Sequence, residues 1–188
     1  MTFFYTLLGL VAAAVLYVIV TYNILVRLRV RVSSAWSDID VQMKRRYNLV
    51  PNLVETVKGY AKHESGTFEA VTRARNEAAA NQGAPHEQAK SENQLTGALR
   101  SLFALAESYP ELKANTNFLD LQKQLSEVED QIQAARRYYN ASVRDNNTKI
   151  DQFPSNLMAQ RFGFEKSEFF ELDEGDGAAR QPVAVKFD

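Results

Sequence analysis

The sequence predicts an all-α protein: an N-terminal transmembrane helix followed by an antiparallel bundle of three to four long helices. Three observations carry this. Residues Thr2 to Val26 contain no charged side chain and are mostly apolar, so all 45 Lys, Arg, Asp and Glu residues lie from Arg27 onward. Beyond Trp36, large apolar residues recur at three- and four-residue steps, the period of an amphipathic helix. Sustained alternation is absent apart from Val183-Ala184-Val185-Lys186-Phe187, too short and isolated to build a sheet. Eight Gly and five Pro in 188 residues also leave too few turn formers for an all-β fold.

The first element is the apolar run. At about 1.5 Å per residue, a helix over Thr2 to Val26 reaches roughly 37 Å, against about 30 Å of hydrocarbon. It therefore spans with a few residues over, which tilt or project into the headgroups. In lipid every backbone group must be paired internally, so a lone segment of this kind is helical. A cleaved signal peptide fits less well: no Lys or Arg precedes the run, and Ala12-Ala13-Ala14 sit in its middle. The expectation is an uncleaved signal anchor over residues 1–26. Arg27, Arg29 and Arg31 flank its carboxyl end and nothing basic flanks the other. The positive-inside rule then places the N-terminus outside a bacterial inner membrane and the remainder in the cytoplasm. The same arginines are expected to contact anionic lipid at the inner surface.

The second element is a stripe through Trp36, Ile39, Met43, Val50, Leu53, Val54, Val57, Ala61, Phe68 and Val71, with Ser33 or Ser34 as a candidate cap. It reads as one long helix, which either starts at that cap or continues directly from the span. Pro51 interrupts it and should kink it or free the carbonyl of Tyr47, since proline lacks the donor. Asn81-Gln82-Gly83-Ala84-Pro85 closes it as a loop. A second bundle helix follows from Leu95, Leu99, Leu102, Phe103, Leu105 and Ala106, stopping at Tyr109-Pro110. A third runs from about Phe118 through Leu125, Val128, Ile132, Tyr139 and Val143, with Asn115 or Asn117 as caps. Phe153 to Phe164 reads as a loop, one helical turn and an apolar clasp. Three such helices must bury their stripes on one another, which defines a bundle over residues 27–170.

Charge is unevenly spread. Residues 27–62 carry eight basic and three acidic side chains, whereas residues from Glu165 to the end carry three basic and seven acidic. Residues 171–188 are expected to be a flexible acidic tail.

The chain offers little for chemistry. It has no cysteine, which excludes disulfides, thiolate metal sites and thiol catalysis. His63 and His86 lack the Glu-x-x-His and His-Glu-x-x-His spacings of helical metal sites. There is no nucleophile-elbow serine motif and no glycine-rich phosphate loop. Lys44-Arg45-Arg46 is too small a basic cluster, in a chain with pI near 6.2, to indicate nucleic acid. No cofactor is expected. What stands out is a set of polar residues written into the stripes: Arg46, Glu64, Glu107, Glu129, Arg136 and Asn140. Buried charges must be paired, so these are expected to form an interhelical network that fixes register rather than a ligand site.

Several ordered motifs resemble the bacterial LemA family. They are Tyr22-Asn23-Ile24-Leu25-Val26, Ala35-Trp36-Ser37-Asp38-Ile39-Asp40-Val41-Gln42, and Lys44-Arg45-Arg46-Tyr47-Asn48-Leu49-Val50-Pro51-Asn52-Leu53-Val54-Glu55. Glu107-Ser108-Tyr109-Pro110, Ala135-Arg136-Arg137-Tyr138-Tyr139-Asn140 and Phe153-Pro154-Ser155-Asn156 complete the set. The resemblance extends to about Phe170. It implies a single N-terminal span, a short outside end and a cytoplasmic helical bundle, and it carries over no catalytic residue. It further implies a link to membrane organisation, as in magnetosome biogenesis, or to membrane zinc metalloproteases. The functional expectation is a non-enzymatic scaffold that sits in the bilayer and assembles with its own copies, organises membrane protein complexes, or does both. The alternative is an adaptor or regulator of a membrane zinc metalloprotease in membrane protein quality control.

Overall fold

The computed structural model describes residues 1–171. Among these the chain forms six helices and no strand: α1 (Thr2–Lys58), α2 (Ser65–Ala80), α3 (Pro85–Glu107), α4 (Pro110–Lys113), α5 (Thr116–Asp151) and α6 (Ser155–Arg161). The fold class is all-α, as the stripes predict. Val183–Phe187 and the acidic tail beyond Glu171 lie outside the described residues.

The apolar run and the first bundle helix are one helix. α1 runs without a break for 57 residues, so neither Ser33 nor Ser34 caps anything; Ser37 Oγ instead donates back to the Ser33 carbonyl at 3.1 Å within the helix. Every residue from Thr2 to Val20 is exposed except the half-buried Val18. Burial starts at Thr21 and continues through Leu25, Val32, Ala35, Ile39, Met43 and Arg46, a three- and four-residue rhythm. The core-facing stripe thus begins inside the segment expected to meet only lipid.

The described residues divide into two compact units. In the first (residues 1–46 and 126–169), α1 packs on the C-terminal part of α5. Trp36 meets the Tyr139 ring at 5.3 Å, Arg31 faces Asp145 and Arg46 meets Glu129. Residue numbers rise along one helix as they fall along the other, which makes the pair antiparallel. At its end, Ser155 Oγ donates to the Lys149 carbonyl at 2.7 Å, satisfying one of the acceptors a helix C-terminus leaves open. After α6 the chain turns at Gly163, whose φ of +67° lies in the region only glycine enters without strain. It then runs back along α5. Asn147 fastens it there with two bonds of 2.9 Å, Nδ2 donating to the Ser167 carbonyl and Oδ1 accepting from the Ser167 N–H.

The second unit (residues 47–125, with Phe170 and Glu171) holds the α2–α3 hairpin, α4, the C-terminal end of α1 and the start of α5. Its core includes Val50, Leu53, Val57, Phe68, Val71, Leu95, Leu99, Leu102 and Leu112. The long stripe from Trp36 to Val71 does not form one helix. α1 stops at Lys58, Gly59 to Glu64 turn, and α2 begins at Ser65. Gly59 is a poor helix former at the break, and the Tyr60 and Ala61 N–H groups both return to the Val57 carbonyl at 3.0 Å. Ala61 and Phe68 are still buried, so the apolar rhythm survives a change of helix. α3 begins ten residues before Leu95, where Pro85 occupies its first turn and Glu87 Oε2 accepts from the Ala84 N–H at 3.3 Å. Gly83 permits that return, because a Cβ there would stand 1.9 Å from Glu87 Oε2. Asn115 caps α5, its Oδ1 accepting from the Phe118 N–H at 3.0 Å.

Candidate functional site

Two features of the first unit bear on function: the junction at the end of the apolar stretch, and the polar residues set among the core. At the junction, Tyr22 lies edge-on to Phe162 (5.1 Å between centroids) and to Phe164 (5.7 Å). Leu25 is fully buried with Ile150, Ala159 and Phe164, and Val26 and Met158 pack around them. The clasp read at Phe162-Gly163-Phe164 therefore closes on the last turns of the apolar run. The sequence hides this contact, because apolar residues facing protein look the same as apolar residues facing lipid.

The three flanking arginines occupy different settings. Arg27 is exposed, its Nε donating to the Asn23 carbonyl at 3.4 Å. The Arg29 guanidinium stands 5.2 Å from the centre of the Phe164 ring, a cation–π approach worth about 0.5–1 kcal/mol at an exposed position. Arg31 faces Asp145 at 3.9 Å with both side chains more than half exposed, and such a pair contributes little. All three keep solvent access where α1 leaves the apolar stretch.

Of the six polar residues singled out in the stripes, the structure joins Arg46 and Glu129. Arg46 is 1% exposed and its Nη2 lies 2.9 Å from Glu129 Oε1, on a half-buried side chain. Arg136 and Asn140 are half-buried on α5 in the same unit. Glu64 and Glu107 belong to the other unit and are not core positions. Glu64 precedes α2 with non-helical φ and ψ, half-buried, because the helix expected to carry it has ended. Glu107 is exposed at the end of α3.

Sequence reasoning passed over a second buried polar cluster, in the second unit. The Tyr47 hydroxyl donates to Glu92 Oε1. Gln88 Nε2 stands 3.0 Å from the Tyr47 hydroxyl oxygen and 3.1 Å from both Glu92 Oε1 and the Ala78 carbonyl. Glu92 is 1% exposed, so its carboxyl is held by donors and not by water. The signal was weak. Gln88, Ala89, Ser91 and Glu92 form the buried face of the first turns of α3, and none is a large apolar residue.

The proton affinity of Tyr139 is clearly displaced. Burial raises its pKa, with the Glu168 charge adding to the effect, from 10 to about 12. Its hydroxyl donates to the Glu168 carbonyl at 2.8 Å. Among the described residues no group of three or more His, Cys, Asp or Glu side chains could hold a metal ion, and His63 and His86 are both exposed.

The LemA family model matches residues 35–187. A protein named LemA from Metamycoplasma hominis is 28% identical over 177 residues, covering 92% of this chain and 80% of its own. Magnetosome protein MamQ 2 of Paramagnetospirillum magneticum is 26% identical over 186 residues, covering 86% of this chain and 68% of its own. Magnetosome protein MamQ of Magnetospirillum gryphiswaldense is 26% identical over 181 residues, covering 82% and 66%.

Proposed function

This chain belongs to the LemA family, and from that premise we propose that it is a single-pass membrane scaffold. In this reading α1 anchors it in a bacterial inner membrane with the N-terminus outside. The helical body lies on the cytoplasmic side, where it assembles with its own copies and organises other membrane proteins without catalysis. The observation that carries the reading is the unbroken passage of α1 from an exposed apolar stretch, Thr2 to Val20, into a core where Ala35, Ile39 and Met43 are at most 2% exposed. An apolar helix face of that length has no favourable place in water, and about 20 such residues cross a bilayer. A helix shared between span and body transmits position from one to the other, as a scaffold requires. The similarity to proteins named as magnetosome proteins supports the same reading. The orientation rests on Arg27, Arg29 and Arg31 as the only basic flank of the span.

Purification of the full chain from membranes in mild detergent tests the role. A large homomeric particle is expected. A stoichiometric metalloprotease in place of that particle would select the adaptor reading, and a lone monomer would end both. Protease added outside right-side-out vesicles should leave the body intact; its digestion from outside would reverse the orientation.

A further inference from the structure

The segment from Phe153 to Phe164 presents apolar side chains on two sides. Inward, Ala159 and Phe164 are buried with Leu25 and Ile150. Outward, Phe153 is 75% exposed, Leu157 52% and Phe162 46%. Single exposed apolar residues are ordinary on a protein surface, but three large ones within ten residues are a concentration that asks for a partner.

Their position identifies it. Hydrocarbon about 30 Å thick takes roughly 20 helical residues, and counted from Phe3 that length ends near Tyr22. Tyr22 is the residue that Phe162 and Phe164 touch. Within about two turns further along α1 stand Arg27 and Arg29, and the last turn of α6 ends in the exposed Arg161. Aromatic residues at the boundary with basic ones just beyond it make up the arrangement proteins favour at a membrane–water interface.

We propose that the Phe153–Phe164 segment is a second membrane contact, in which Phe153, Leu157 and Phe162 enter the acyl–headgroup boundary beside the span. The partner is the bilayer itself, argued from continuity with the lipid-facing surface of α1. The proposal rests on the membrane-anchoring reading and adds to it: anchored at two points, α1 can neither rotate freely nor choose its own tilt, so the first unit is held in one orientation to the surface.

The absence of native cysteine allows a clean test, with one nitroxide label per molecule on the full chain in phosphatidylcholine–phosphatidylglycerol vesicles. Labels at Phe153→Cys and Leu157→Cys are compared with Leu10→Cys in the span and Tyr138→Cys, an exposed α5 position about 18 Å along the helix from Ile150. Collision rates are measured with oxygen, which concentrates in lipid, and with a water-soluble nickel complex. The labels at 153 and 157 should join 10 in favouring oxygen, while 138 favours nickel. Positions 153 and 157 behaving like 138 while 10 stays lipidic would overturn the second contact and leave the anchor standing. Shielding of 153 and 157 from both reagents would mean a protein covers them and would also overturn it. Nickel access at position 10 would remove the anchoring reading and this inference together.

Discussion

Arg75 donates from Nε to the main-chain carbonyl of Tyr47 at 3.1 Å, four residues before Pro51. In an uninterrupted helix that carbonyl would accept from the N–H of residue 51, which proline lacks. α1 nevertheless continues to Lys58, and a side chain from α2 supplies the missing donor. A charge-assisted bond of this kind contributes about 1.5–3 kcal/mol, so Arg75→Ala should lower the melting temperature, read by helical circular dichroism of the full chain in detergent. Pro51→Ala restores the backbone donor and should raise that temperature or leave it little changed. Combined with Pro51→Ala, the Arg75→Ala change should cost clearly less than it does alone. Equal costs in both backgrounds would show that Arg75 acts through something other than this carbonyl.

The buried cluster around Glu92 makes a separate prediction. Tyr47→Phe keeps the ring in place and removes one donor from a carboxyl that water does not reach, which should cost about 1–3 kcal/mol. Tyr60→Phe is the comparison. Its hydroxyl accepts from Asn115 Nδ2 at 2.9 Å on an exposed side chain, so solvent can replace the lost contact and little stability should be lost. Chemical denaturation of the two variants checks the ordering, and the reverse ordering would show Glu92 to be satisfied without Tyr47.

How far the fold could be read in advance depended on whether burial left a contrast in the residue types. Ile39, Met43 and Val57 stand beside charged neighbours, and that contrast located α1 within the bundle. Leu25 offers none, since its neighbours in the apolar run are as greasy as it is, and only packing shows that it faces Phe164. Gln88 and Glu92 fail for the opposite reason: they occupy core positions with polar atoms, so the hydrophobic rhythm of α3 starts only at Leu95. The helix break at Gly59 was concealed because Val57, Ala61 and Phe68 keep helical spacing across a turn. Pairing is harder again. That Arg46 meets Glu129, while Glu64 and Glu107 sit elsewhere, depends on where helices end and not on the spacing within any one of them.

Tyr139 should give the first unit a pH dependence on the alkaline side. Its pKa is raised to about 12 in the fold against about 10 in the unfolded chain, so folding favours the protonated phenol. The stability this represents is fully present below pH 10, declines as pH rises from there, and is gone above about 12. Other groups titrate in the same window, so the informative quantity is the difference between parent and Tyr139→Phe. Denaturation midpoints of the two should run parallel up to about pH 9 and converge above 10, as the parent loses a contribution that phenylalanine never had. Parallel curves to pH 12 would mean that the phenol ionises in the folded protein as easily as in water.

Arg46 is expected to be the most sensitive charged position in the first unit. Its guanidinium is 1% exposed and meets Glu129 at 2.9 Å, whereas the carboxylate keeps partial access to solvent. The asymmetry sets the direction of the two truncations. Removing Glu129 leaves a buried cation short of an acceptor, and removing Arg46 leaves a carboxylate that water can partly solvate but also opens a cavity where a large side chain stood. Each loss should therefore be substantial, about 3–5 kcal/mol for the buried partner, against a total domain stability of about 5–15 kcal/mol. Lys62→Ala, at an exposed position in the turn after α1, should change the melting temperature very little. Because Arg46 and Glu129 join α1 to α5 in antiparallel register, Arg46→Met paired with Glu129→Leu should recover much of what either truncation loses, by replacing the ion pair with apolar packing. Arg46→Ala melting like the parent while particle size in detergent falls would assign this arginine to assembly instead of to the helix pair.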